Sequence, residues 1–227
     1  MTALAADAAL IDLDGTLVDS SQALVRCWTR WAREFEVAEA DLARVAKDGL
    51  TSQAIVRALV PPHRVEEAQR RIEELETADV EGIVALPGAL DLLAALPTGR
   101  WAVVTSGTTA VATARMKAAG ISTDVLVSAD DVRQGKPHPE PYLLGAKLLG
   151  IDPARCVVIE DAPAGLASAA AAGMRSVAVR RAQAPGSYAG KHTRQEELRA
   201  DLVVEGLHKL GVRLDDDRRT IHLFDKG

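Results

Sequence analysis

Five short segments of the chain are almost continuously apolar: Ala8–Ile11, Trp101–Val104, Val125–Val127, Cys156–Ile159 and Val177–Val179. Short runs rich in Val and Ile predict strands rather than helices. Unbroken apolarity, in place of alternation, predicts strands covered on both faces of a parallel sheet. Helical stretches separate them. Thr109–Ala119, Tyr142–Leu149 and Pro163–Ala172 are followed by Gly120, Gly150 and Gly173, and glycine just past a helix is a common stop. From residue 88 onward the order is βαβα, the pattern of a doubly wound α/β sheet.

Residues from about 20 to 86 interrupt that alternation and read as helix throughout. Ser20 or Ser21 is placed to cap a helix whose apolar stripe is Leu24, Trp28, Trp31 and Phe35. Further helices are expected near Asp41–Lys47 and Ser52–Val60. After Pro61-Pro62 a long charged helix turns Val65, Ala68, Ile72 and Leu75 inward, and its Glu/Arg-rich face over Glu66–Glu76 is expected to be solvated. The block reads as an insert after the first strand, residues 20–86, with residues 1–19 and 87–227 forming the core. Its hinges fall near Leu17–Ser20 and Leu86–Gly88. Downstream, Arg181–Ala200 is polar and carries Pro185-Gly186, predicting a loop with one short helix. Leu202–Val204 is an expected edge strand, and Val212–Leu223 an expected β-hairpin.

The 227 residues include 48% hydrophobic and 26% charged positions, ordinary for a globular chain with a sizeable core. A net charge of −5 argues against nucleic acid as partner, since binding a phosphate backbone needs a basic face. No apolar run is long enough for a membrane helix, and the N-terminal residues lack the basic start of a secretion signal. A cytoplasmic location is expected. Cys27 and Cys156 have no CxxC spacing and are expected as reduced core residues. The absence of an uncovered apolar stripe points to a monomer.

Chemistry concentrates at the strand ends. In Ile11-Asp12-Leu13-Asp14-Gly15-Thr16, the period of two lets Asp12 and Asp14 project the same way as the first strand ends. Two such carboxylates repel unless a cation or proton lies between them. Val104-Thr105-Ser106-Gly107-Thr108 opens a helix, where a hydroxyl and free amides can hold an anion. Ser106 and the Gly107 amide are the candidates, with Thr105 as the alternative hydroxyl. Gln134-Gly135-Lys136-Pro137-His138-Pro139 is a stiff loop presenting one lysine, and His138 is expected to be structural. Glu160-Asp161 ends the fourth strand with the oxygen ligands a hard divalent ion prefers. Each motif alone has an ordinary explanation as a turn, a cap or a surface charge. All four follow carboxyl ends of different predicted parallel strands, where open α/β sheets bind ligands. Together they supply nucleophile, acid/base, anion cradle, fixed cation and metal site, a complete set for phosphoryl transfer.

On these motifs the chain resembles the haloacid dehalogenase superfamily of phosphohydrolases. Asp12-Leu13-Asp14-Gly15-Thr16, Ser106, Lys136 and Glu160-Asp161 look like its four motifs in order. The stretches Val132–Tyr142 and Glu160–Gly165 are similar to a narrower group of bacterial sugar phosphatases and fungal glycerol-phosphate and 2-deoxyglucose-6-phosphate phosphatases. The resemblance implies a Rossmann-like core with a four-helix cap. It implies hydrolysis of a small phosphorylated metabolite with Mg²⁺ held by Asp12, Asp14, Glu160 and Asp161. Asp12 would be the nucleophile and Asp14 the acid/base, with Lys136, Ser106, Gly107 and the Leu13 amide on the phosphate. Related caps often carry His-Gly followed by Arg or Lys where this chain has Asp48-Gly49-Leu50, the expected specificity loop. The β-phosphoglucomutase type of phosphosugar mutase is the nearest alternative. Its hinge histidine and cap arginine align with Leu24 and Ser52 here, which favours hydrolysis. A phosphoacceptor signalling domain is the alternative from another class.

Overall fold

The computed structural model describes residues 3–46, 51–180, 200–217 and 219–227. The strands are β1 (Ala3–Ala6), β2 (Ala8–Ile11), β3 (Val18–Asp19), β4 (Val84–Ala85), β5 (Trp101–Val104), β6 (Leu126–Val127), β7 (Cys156–Glu160), β8 (Arg175–Val179), β9 (Leu202–Val204), β10 (Leu210–Leu214) and β11 (Ile221–Asp225). The α-helices are α1 (Ser21–Glu34), α2 (Glu39–Ala46), α3 (Ser52–Leu59), α4 (Val65–Ala78), α5 (Ala89–Ala95), α6 (Thr109–Ala118), α7 (Glu140–Leu149) and α8 (Pro163–Ala171).

Six strands form one parallel sheet in the order β6-β5-β2-β7-β8-β9. Every residue of β2 and of β7 is buried, as unbroken apolarity requires of central strands covered on both faces. One face carries a cluster with Ile11, Val103, Ile159 and Val177, the other a cluster with Leu10, Val104, Val158 and Tyr142. The chain has the expected doubly wound α/β architecture. Gly120, Gly150 and Gly173 all take positive φ just past α6, α7 and α8, as expected of helix stops.

The segment between β2 and β5 carries α1–α4 around its own apolar cluster, with Trp28, Trp31, Phe35, Leu42, Val56 and Ile72. Trp31 is fully buried, and its indole N–H donates to the Ala68 carbonyl at 2.9 Å. The strands flanking this segment, β3 and β4, pair antiparallel, so the outgoing and returning chains run side by side. Gly88 closes the return with φ +86, and a Cβ there would lie 2.4 Å from the His208 amide.

A third sheet, β1-β11-β10, pairs residues 3–6 with the C-terminal hairpin. The hairpin was expected, but β1 was not. Cys27 and Cys156 are buried and unpaired, and burial pushes both thiols up to about 11. No helix among the described residues is long and apolar enough to cross a membrane. Asp48, Gly49 and Leu50, the last residue of the helix expected to end at Lys47, and most of the Arg181–Ala200 loop lie outside the described residues.

Candidate active site

At the end of β2 the Asp12 amide still donates to the Ile159 carbonyl of β7 at 3.0 Å, so its side chain emerges from a fixed backbone. The chain then curls. The Leu17 and Val18 amides donate to the Leu13 carbonyl, and the Gly15 amide donates to Val18 O with φ +94 at Gly15, where a side chain would be strained. Leu13 itself is fully buried.

The loop before α7 delivers Lys136. Both oxygens of Glu140, the first residue of α7, accept amides of that loop, from Arg133 and Gln134, at 3.0 Å each. His138 accepts the Glu140 amide through Nδ1, and its carbonyl accepts from Ser168 Oγ at 2.6 Å, a structural role as expected. Lys136 Nζ donates to Asp12 Oδ1 at 2.7 Å, Glu160 Oε1 at 2.7 Å and Val104 O at 3.0 Å. One buried ammonium therefore ties together the carboxyl ends of β5, β2 and β7. Burial alone would lower its pKa, but Asp12 and Glu160 outweigh that and hold it well above the usual lysine value.

Glu160 is saturated. Its Oε1 accepts from Lys136 and from the Tyr142 hydroxyl at 3.0 Å, and its Oε2 accepts from the Asp161 and Ala162 amides at 2.9 Å each. A carboxylate has about four acceptor positions, and all are taken. The side chain lies across Gly165, where a Cβ would sit 1.7 Å from Oε1.

One carboxylate oxygen each from Asp12, Glu160 and Asp161 lies within 4.8 Å of the others, and all three residues are buried. Thr16 Oγ1 donates to Asp161 Oδ1 at 3.4 Å. Burial and the repulsion of Glu160 push the Asp12 carboxyl well above its usual range, with Lys136 opposing and Asp161 adding. Three buried carboxylates against one ammonium leave excess negative charge in an all-oxygen cluster, which fits a hard divalent cation. Glu160 already serves four donors, which limits its capacity for direct ligation.

Asp14 points to a different set. Its Oδ1 accepts from Ser20 Oγ at 2.6 Å, and its Oδ2 pairs with Arg115 Nη1 at 2.7 Å. Ser20 occupies the N-cap position of α1 but makes no side-chain cap there, because its hydroxyl is on Asp14. Glu76, expected on a solvated face, is buried and lies 3.4 Å from Arg115 Nη2. At the end of β5, Thr105 is buried and its Oγ1 accepts the Gly107 amide at 3.1 Å. Ser106 is half-buried beside it, with no hydrogen-bond partner among the described residues. Thr108 caps α6 through the Val111 amide. Across the cleft, a Cβ on Gly135 would lie 3.6 Å from the Thr51 methyl, which brings the start of α3 onto the Lys136 loop.

Sequence reasoning gave no role in the site to Tyr142, Gly165, Ser20 or Arg115. For Arg115 a signal existed, since the charge falls among Val111, Ala112 and Met116 on the buried face of α6.

The family model described as haloacid dehalogenase-like hydrolase matches residues 9–179. The chain is 47% identical to hexitol phosphatase A of Escherichia coli over 175 residues, covering 75% of this chain and 81% of that one. It is 37% identical to glycerol-1-phosphate phosphohydrolase 2 of Saccharomyces cerevisiae, covering 78% and 75%. Among solved structures, CbbY from Rhodobacter sphaeroides in complex with phosphate has the same fold, with a TM-score of 0.75, 23% identity and coverage of 91% and 96%.

Proposed function

The chain belongs to the haloacid dehalogenase-like hydrolase family, and from that premise we propose that it is a Mg²⁺-dependent phosphomonoesterase acting on a phosphorylated sugar, sugar alcohol or glycerol. The observation that carries this reading is the Lys136 ammonium 2.7 Å from both Asp12 and Glu160, with Asp161 in the same carboxylate cluster. The substrate class is supported by relatives named for hexitol, glycerol-1-phosphate and fructose-1-phosphate phosphatase activity.

In this reading Asp12 attacks phosphorus and forms an acyl phosphate, while Asp14 protonates the leaving alkoxide and then takes a proton from the attacking water. Lys136, Ser106 and the Leu13 and Gly107 amides receive the equatorial oxygens. For Gly107 this requires its amide to leave Thr105 Oγ1. Asp12, Asp161 and the Asp14 carbonyl would hold the divalent ion, whose charge offsets repulsion between the Asp12 carboxylate and an anionic substrate. Glu160 is assigned to holding Lys136, with any contact to the ion running through water. The helical insert closes over the cleft and selects the leaving group, with the Asp48-Gly49-Leu50 segment as its specificity loop. Such an enzyme needs no second macromolecule and works as a cytoplasmic monomer.

The test is phosphate release from a panel of hexitol, hexose and glycerol phosphates, with and without Mg²⁺. Metal-dependent release that is abolished in Asp12→Asn supports the assignment. Full activity in that variant overturns it.

A further inference from the structure

The cluster formed by Asp14, Arg115 and Glu76 joins three separate parts of the chain. Asp14 lies in the loop after β2, Arg115 on core helix α6, and Glu76 in the last turn of α4 in the helical insert. Arg115 is 4% exposed and Glu76 8%. The guanidinium is forked, with Nη1 2.7 Å from Asp14 and Nη2 3.4 Å from Glu76. On the other side the hinge residue Ser20 holds the second oxygen of Asp14.

This is a poor arrangement if stability were its purpose. Buried ion clusters are often matched or bettered by apolar residues of similar volume. Moreover Arg115 Nε is buried with no acceptor among the described residues, which adds a desolvation cost. What the cluster does provide is geometry. Both oxygens of the acid/base carboxylate are fixed, one by the hinge and one by a cation that also grips the insert.

We propose that Arg115 is a positioning residue for Asp14, and that Glu76 ties this positioning to the seating of the helical insert. The inference rests on the assignment of Asp14 as acid/base. With Arg115 gone, Asp14 keeps Ser20 as its side-chain partner among the described residues and loses the cation that stands between it and the buried Glu76 carboxylate. Its aim at the leaving oxygen is lost while Lys136, Asp12 and Asp161 are untouched.

A leaving-group comparison separates this from a general structural role. The kcat/KM value reports the first transfer, in which the leaving oxygen needs a proton. Glycerol phosphate leaves as a strongly basic alkoxide, whereas p-nitrophenyl phosphate leaves as a stable phenolate that scarcely needs one. Asp14→Asn should therefore lose about 10²-fold or more on the alkyl ester and far less on the aryl ester. Arg115→Met should show the same selectivity, losing at least about tenfold more on glycerol phosphate. In an Asp14→Asn background the same substitution should add no further selective loss, because groups that act as a unit are not additive. Equal losses on the two esters, or a selective loss that persists without Asp14, would overturn the proposal. If Asp14→Asn itself shows no selectivity, the acid assignment fails and takes this inference with it. If Asp14→Asn is selective and Arg115→Met is not, this inference alone fails. Should Arg115→Met not fold, Glu76→Gln carries the test. It removes the charge from the arm to the insert and leaves the Asp14 arm in place, and about a threefold selective loss is expected, against an equal effect on both esters if the link has no role.

Discussion

Substituting Gly165 by alanine puts one methyl group against the carboxylate that holds Lys136. The new Cβ would lie 1.7 Å from Glu160 Oε1 and 2.0 Å from Cδ. Reaching ordinary contact near 3.4 Å requires the carboxylate to retreat by roughly 1.7 Å. The four hydrogen bonds of Glu160 are 2.7–3.0 Å long, so that retreat breaks most of them. Overpacking of this kind costs about 1–3 kcal/mol. Each lost hydrogen bond adds on the order of 1 kcal/mol. Alanine in α8 returns about 1 kcal/mol of helix propensity. With about three of the four bonds lost, a net destabilisation of about 3–5 kcal/mol follows, which for a chain of this size lowers Tm by about 6–20 °C. Activity should suffer more than stability suggests, because a misplacement of about 1 Å in a catalytic group can cost about 10²-fold. Thermal denaturation followed by circular dichroism gives the first quantity, and phosphate release under saturating substrate gives kcat. A Gly165→Ala protein with the parent's Tm and kcat would refute the view that Glu160 is rigidly held and positions Lys136.

Further expectations follow from the same geometry. Mg²⁺ at 100 times its dissociation constant should stabilise the fold by about 2.7 kcal/mol, and differential scanning fluorimetry should show that gain abolished in Asp161→Asn. Tyr142→Phe removes one of two donors to Glu160 Oε1, so urea titration should show a loss of about 1 kcal/mol, with kcat reduced less than about tenfold. Arg71, with help from Arg30, holds the Glu34 carboxyl at about 2, below the 4.5 of an unperturbed glutamate. A depressed pKa stabilises the fold above the unfolded value, and the stabilisation is lost as pH falls from about 4.5 through about 2. Because Glu34 is about one-third exposed, solvent screening limits the effect to under about 1 kcal/mol. Urea midpoints of Glu34→Gln and the parent should therefore differ at pH 6 and converge as pH falls toward 2.

The sheet and the strand-end motifs were legible because their signals are local. Apolar runs mark β5, β7 and β8, and the acidic pairs sit directly at strand ends, while Lys136 stands in a Gly/Pro-marked loop just before α7. What failed depended on partners distant in sequence. Ser20 has the right chemistry for an N-cap, yet its hydroxyl is drawn to Asp14. Glu76 belongs by composition to a charged face, although its spacing of four from Ile72 puts it on the buried stripe, where α4 meets α6 instead of water. The ligating capacity of Glu160 could not be read from residue type, since it depends on how many donors converge on it. β1 is four small or apolar residues whose pairing partner lies at the far end of the chain.

The placement of β2 between β5 and β7 has a consequence for how the chain acquires its structure. Ala9 pairs with Trp101 and Val157, so the central strand has no neighbour close in sequence within its sheet. Bringing such distant segments together carries a loop-closure cost before any contact rewards it. The helices of residues 21–78 meet one another over short separations and share a cluster of their own. That bundle should become protected early, and β2 only when the last of its neighbours has been added. Pulse-labelled hydrogen exchange during refolding would show amides of α1 and α4 protected before those of β2, and the reverse order would contradict this.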